Sequence, residues 1–117
     1  RIMGVRMPEE LPAEIEEVAR DPAPDRFLLW TRTDARDIAI GCRQAIEAER
    51  VPSGVYNLTG PVNVLDEPTE ALFRRHSAGT ELRAGLESTT SGLSCARARA
   101  AFGYEPRHIW TRSRRPA

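Results

Sequence analysis

Between Phe27 and Gly60 an apolar run passes through a polar corner into an amphipathic helix and out into a second apolar run. The first run, Phe27-Leu28-Leu29-Trp30, is too short for a helix, and its unbroken apolar character predicts a strand covered on both faces. After the corner Thr31-Arg32-Thr33-Asp34, the residues Ala35, Ile38, Ala39, Cys42, Ala45 and Ile46 recur at helical spacing. A helix running to about Arg50 is therefore expected, with those residues on its packed side. Asp34 stands where its carboxylate can accept a first-turn backbone N–H, the geometry of an N-cap. Val51-Pro52-Ser53-Gly54 then turns the chain into a second predicted strand, Val55 to Leu58. Strand, helix and strand without a gap point to an α/β fold, with a right-handed crossover if the two strands lie parallel in one sheet.

The flanking segments follow the same logic. Met3, Val5 and Met7 alternate as in a short strand, which Pro8 ends. From Pro12 onward, Leu11, Ile15, Val18 and Ala19 fall on one face, and Glu14, Glu16 and Glu17 load the first turns with the charge a helix start favours. Residues 21–26, with Pro22 and Pro24, read as a turn. Farther on, Asp66 is placed to cap a helix over about 67–76, Thr80 to Ala84 suggests a short strand, and 85–92 reads as a loop. Ser94 is placed to cap a last helix with Ala98, Ala101 and Phe102 on its apolar face and Gly103 at its C-cap.

With 117 residues the chain has the size of one domain or part of one. Seventeen basic residues balance seventeen acidic ones. Zero net charge argues against a general affinity for nucleic acid or an anionic membrane. All seventeen basic residues are arginine, so chemistry that needs a lysine amine is excluded for these residues. Cys42 and Cys95 lack CxxC spacing and read as free thiols in a reducing compartment. No apolar run approaches the ~20 residues of a membrane span, and nothing at the start resembles a signal peptide, so a cytoplasmic location is expected. The first residue is Arg1, not Met, which suggests a piece of something longer.

No catalytic or metal constellation is legible. His76 and His108 have no Cys, Asp or second His at ligand spacing and read as exposed side chains. Asp34 reads as a cap and Asp37 as the ion-pair partner of a nearby arginine. Ser91 and Ser94 lack a GxSxG setting and read as cap or loop serines. The tail with Arg107, Arg112, Arg114 and Arg115 reads as a solvated end. No glycine pattern forms a phosphate loop.

Several stretches, in order, resemble the C-terminal part of NAD(P)-dependent epimerase/dehydratases, the extended branch of the short-chain dehydrogenase/reductases. Arg32 to Ala39 is similar to the family's Tyr-x-x-Val-x-Asp-Val-Ala segment, with Asp37-Ile38-Ala39 at its Asp-Val-Ala and Arg32 at the tyrosine. Gly54 to Gly60 is similar to the Tyr-Asn-x-x-Gly strand that follows. Ser94 to Ala98, then Phe102-Gly103-Tyr104-Glu105-Pro106 and Trp110, resemble the terminal Ser-x-x-Lys-Ala and Leu-Gly-Trp/Tyr-x-Pro segment. Arg1 to Pro8 resembles the Arg-x-x-Asn-Val-Tyr-Gly-Pro strand, with Gly4 at the asparagine and Met7 at the glycine. Trp30 stands where the sugar-nucleotide epimerases often carry arginine.

The resemblance implies a single partial domain over 1–117: the substrate-binding part of a Rossmann-like α/β fold, with short strands and about four helices. It further implies NAD or NADP and a sugar or related small molecule as cofactor and substrate of the parent family. The family's glycine motif and Tyr-x-x-x-Lys pair lie N-terminal to this region and have no counterpart here, so no cofactor and no hydride transfer are expected of this chain alone. Gly4, Trp30, Arg32 and Arg83 are the expected substrate-lining positions. The competing expectations are a stand-alone binding or interaction domain that lost the chemistry, and an unstable remnant. A fragment should leave apolar faces bare that a self-sufficient domain would cover or use.

Overall fold

A parallel pair of two-residue strands sits at the centre of the chain and hands directly into its longest helix. In the computed structural model, which describes residues 4–116, β1 (Val5–Arg6) lies beside β2 (Thr33–Asp34) in the register Val5 to Thr33 and Arg6 to Asp34. Met3, the first residue of the expected opening strand, lies outside the described residues. Four α-helices complete the mixed α/β structure: α1 (Leu11–Arg20), α2 (Ala35–Glu47), α3 (Thr69–His76) and α4 (Ala96–Phe102). Among the described residues, no helix is long and apolar enough to cross a membrane.

Helix α1 follows its sequence pattern. Pro12 stands in the first turn, where it costs no hydrogen bond, and Leu11, Ile15 and Val18 are buried. They join Trp30, Val64, Leu65, Leu72 and Phe73 in the larger of two apolar clusters. The smaller cluster gathers Leu58, Ala98 and Tyr104, with Ile38, Tyr56, Cys95 and Phe102 against them.

The expected strand at Phe27 to Trp30 is absent. Pro24–Leu28 forms a 3-10 helix instead, and Leu29 and Trp30 then take left-handed backbone conformations (φ 54° and 52°). Pro24 presets a helical φ at the start of this segment, and a four-residue apolar run carries no period that separates strand from buried helical turn. The unusual backbone is held from several sides: Trp30 N–H donates to the Asp25 carbonyl, its indole Nε1 to the Pro22 carbonyl at 2.8 Å, and its carbonyl accepts from Val64 N at 2.9 Å. The strand that pairs with β1 lies three residues later, inside the corner expected to be a turn.

Helix α2 starts as expected, with Asp34 Oδ1 accepting Arg36 N at 2.9 Å. Its packed side is rotated from the predicted one. Asp37 and Gly41 are its buried residues, whereas Ala39, Cys42 and Ile46 face solvent. The reason is close approach: a Cβ on Gly41 would stand 2.8 Å from Tyr104 Cδ2, so the ring packs where the helix has no side chain. Hydropathy periodicity counts apolar side chains and cannot register a groove made by their absence.

Val55 to Leu58 runs as irregular chain with a bridge residue at Leu58, not as the expected continuous strand. Thr80 to Ala84 is likewise irregular; Leu82 and Leu86 pack singly against the larger cluster. Helix α3 lies where predicted, but Asp66 does not cap it. The N-cap position is Pro68, and the loop after the helix supplies acceptors, Ser88 O for Thr69 N and Leu86 O for Glu70 N. At α4 the N-cap position is Cys95, one residue after the expected Ser94, and its side chain makes no cap bond; Ser94 Oγ still accepts Ala96 N at 3.2 Å, and Gly103 closes the helix at φ 76° as expected. Both cysteines are free.

Replacing Gly41 by alanine forces the Tyr104 ring out of its seat. Gly41→Ala is expected to destabilise the chain by about 1–3 kcal/mol through overpacking, outweighing the alanine's better helix propensity. Urea unfolding monitored by circular dichroism checks this, and a neutral or stabilising effect would contradict the described packing.

Candidate functional site

The cleft between α1 and the 3-10 helix, about 330 Å³, is lined by Arg6, Glu14, Glu17, Asp21, Asp25 and Arg32 among others. Arg32 forms its floor. Its side chain is only 3% exposed, yet every part of the guanidinium has a partner. Nε donates to Glu14 Oε1 at 2.9 Å, Nη1 and Nη2 form a two-pronged pair with Asp25 at 3.1 and 2.7 Å, and Nη1 also reaches the Thr31 carbonyl. Burial alone would lower the Arg32 pKa, but the Asp25 and Glu14 carboxylates outweigh it and raise the group above its ordinary value. Arg6 pairs with the other oxygen of Glu14. The cleft thus has four carboxylates facing two guanidiniums that are already committed.

The four residues expected to line a substrate site are placed very differently. Gly4 abuts Arg32: at φ +58°, a Cβ there would stand 2.5 Å from the Thr31 carbonyl oxygen and 3.2 Å from Arg32 Cδ. Gly4 and Arg32 are therefore brought together beside the cleft. Trp30 is wholly enclosed, its ring edge-on to Phe73 at 5.3 Å. Arg83 lies on the exposed loop after α3 and lines neither this cleft nor a second cavity near α4.

Nothing in the sequence pattern signals what holds the C-terminal segment. Three aspartates accept from it. Asp37, 2% exposed, receives both His108 N at 2.9 Å and His108 Nδ1 at 2.7 Å. Asp34 Oδ2 receives Trp110 Nε1 at 2.8 Å, and Asp66 Oδ2 receives Ser113 N at 2.9 Å. The main chain adds a further tie, since Val64 carbonyl accepts Arg112 N at 2.8 Å. Asp37 is therefore paired with a histidine, His108 is not a free surface side chain, and the segment 104–113 is docked through these contacts while Arg107, Arg112, Arg114 and Arg115 stay exposed, as expected of a solvated end. His76 is also partly enclosed, 5.9 Å from the Trp30 ring, with a buried Nε2 that has no partner.

Asp34 is the most heavily used of the three. Burial would raise its pKa, but the Arg36 guanidinium, the Trp110 indole N–H and the Arg36 main-chain N–H together lower it from 3.8 to about 2. A carboxylate so surrounded serves as a structural anion and is poorly suited to accept a proton near neutrality. Asp37 and His108 form a carboxylate–imidazole pair, but the same carboxylate also holds the His108 main chain, which makes the pair a clamp. Among the described residues, no group of three or more His, Cys, Asp or Glu side chains could hold a metal ion.

Compared with protein-family models, curated proteins and solved structures, the chain matches none.

The lowered Asp34 pKa fixes a sign for acid stability. A carboxylate whose folded pKa lies below its unfolded value contributes stability that is present above the unfolded pKa and is lost as pH falls through the folded one. Asp34 accordingly contributes roughly 2 kcal/mol above about pH 4, lost progressively between about pH 4 and pH 2. In Asp34→Asn that component of the acid dependence should disappear. Urea midpoints measured across this range check it; equal slopes in both proteins would refute the assignment.

Proposed function

We propose that the chain is the C-terminal, substrate-binding part of an NAD(P)-dependent epimerase/dehydratase, a partial Rossmann-like unit without catalytic competence of its own. One observation carries the reading. Two of the stretches that resemble the family, Arg32 to Ala39 and Phe102 to Trp110, lie against each other through the Asp37–His108 and Asp34–Trp110 contacts, with Tyr104 seated on Gly41 just beyond the first. Residues separated by about seventy positions thus join into one structural unit, which gives a physical reason for their occurring together.

The shape of the molecule supports a part rather than a whole. It is a slab of 43 × 34 × 20 Å with a radius of gyration of 14.4 Å, against about 13 Å for a compact domain of this length. Its accessible surface of 7000 Å² exceeds the roughly 6,400 Å² of a typical monomer of its mass. Met7, Phe27, Ile46 and Val55 are each half or more exposed.

In this reading the substrate side is the cleft lined by Arg6 and Arg32, with Gly4 packed against Arg32 behind it. The guanidiniums there are neutralised by Glu14 and Asp25, and Glu17 and Asp21 add negative charge at the rim. Carboxylates in that arrangement accept hydroxyl donors, so the cleft suits the hydroxyl-bearing portion of a sugar better than a phosphate. Trp30 supports the floor from within the core, and Arg83 takes no part. The cofactor would be NAD or NADP, held by protein outside these residues.

Two experiments test the proposal. The coding sequence upstream should carry a G-x-x-G-x-x-G and a Tyr-x-x-x-Lys; unrelated sequence or a stop codon directly upstream would count against it. Calorimetric titration of the chain with NAD and NADP should give no binding heat, and micromolar binding would overturn the account of a missing cofactor half.

A further inference from the structure

The Asp37–His108 clamp leaves one reactive atom open. His108 Nδ1 lies 2.7 Å from Asp37 Oδ1, and the His108 main-chain N–H donates to Oδ2 of the same carboxylate at 2.9 Å. Asp37 is 2% exposed and sits in the first turn of α2, so the imidazole is gripped through its ring and its backbone by one fixed group. Because that group accepts, Nδ1 carries the ring proton and Nε2 keeps its lone pair. Nε2 has no hydrogen-bond partner among the described residues and is not enclosed, in a side chain 23% exposed. His76 is the opposite case, with its Nε2 buried.

A histidine held in this way is arranged for attack through Nε2. The carboxylate fixes the tautomer and stabilises the positive charge that develops on the ring as Nε2 forms a bond. The surroundings favour a phosphoryl group as the electrophile. Arg107 precedes the histidine, is exposed and has no ion-pair partner among the described residues, and Arg36 precedes Asp37 on α2. Of the carboxylates in this corner, Asp34 is neutralised by the Arg36 guanidinium and receives the Trp110 indole N–H, and Asp37 is held by the imidazole itself. Guanidinium groups are well matched to phosphoryl oxygens. His108 lines neither cavity, so its electrophile must be small and arrive from solvent.

We propose that His108 Nε2 is a phosphoryl acceptor for a small phosphoryl donor, with Asp37 as its positioning residue. With phosphoramidate as the donor, the Nε2 lone pair forms the new N–P bond and the donor's own P–N bond breaks, its electron pair going to the leaving nitrogen. That nitrogen, already fully protonated, departs as ammonia. The proton on Nδ1 stays against Asp37 until the phosphorylated ring gives it up to water. The site stands apart from the substrate cleft and does not depend on the epimerase/dehydratase reading.

The whole chain is treated with phosphoramidate at about pH 8, where free imidazole is neutral, beside a synthetic peptide of residues 104–113. Phosphorus NMR separates the two phosphohistidine isomers, and peptide mass spectrometry assigns the residue. His108 should be modified at least about tenfold faster in the chain than in the peptide and at Nε2 alone, whereas the peptide, with both ring nitrogens open, gives both isomers. His76 should give no Nε2 product. Asp37→Asn should return the rate toward that of the peptide and restore the mixture of isomers. Trp110→Phe, which removes the segment's contact with Asp34 but not the Asp37 pair, should keep both the rate and the single isomer. Equal rates in chain and peptide, an Nδ1 product on His108, or equal losses in Asp37→Asn and Trp110→Phe would overturn the proposal.

Discussion

The structure depends on one buried carboxylate. Asp34 ends β2, caps α2, holds the Arg36 side chain and receives the indole N–H of Trp110. Removing a carboxylate from water costs several kcal/mol unless it is paired and hydrogen-bonded, and Asp34 meets that condition only when strand, helix start and C-terminal segment are all in place. The three elements are therefore coupled: losing one exposes the others to the cost of an unsatisfied charge. Asp37, one helical turn on, repeats the device with His108, and the exposed Asp66 adds a surface contact to Ser113 N.

Carboxylate clamps of this kind suit a chain whose apolar core is modest. Two small clusters, one around Trp30 and one around Tyr104, supply the hydrophobic burial, and neither encloses the whole of α2. The polar contacts give what the clusters do not, a fixed orientation of the last ten residues or so against the body of the protein. Acidic groups that a reader of the sequence might assign to catalysis are already committed to N–H donors. Arg32 is in the same position, since Glu14 and Asp25 claim its guanidinium.

What could be read from the sequence was local. The α1 face of Leu11, Ile15 and Val18, the Asp34 cap and the left-handed Gly103 all follow from rules that span a few residues, and all are present. What could not be read was decided by residues far apart or by missing atoms. The packed side of α2 is set by Gly41, which has no side chain to register, against Tyr104. The Asp37–His108 pair joins positions 71 residues apart, and the buried Asn63, which bonds Glu67 O, Thr69 Oγ1 and Leu65 N, looks like any loop asparagine in the sequence. At Phe27 to Trp30 a short apolar run fitted more than one conformation, and Pro24 together with the Val64 contact chose the helical one. The candidate site divides the same way: Arg32 lines the cleft with Gly4 packed against it, while Trp30 and Arg83 could be separated from it only by the fold.

The central claim, that buried aspartates dock the C-terminal segment, is tested most directly by hydrogen exchange at single-residue resolution. The His108 amide donates to the buried Asp37 at 2.9 Å. Docking predicts that the His108 amide exchanges far more slowly than an unstructured amide and that Asp37→Ala returns it to the unstructured rate while α1 stays protected. A His108 amide that exchanges at the unstructured rate in the unaltered chain would contradict the account.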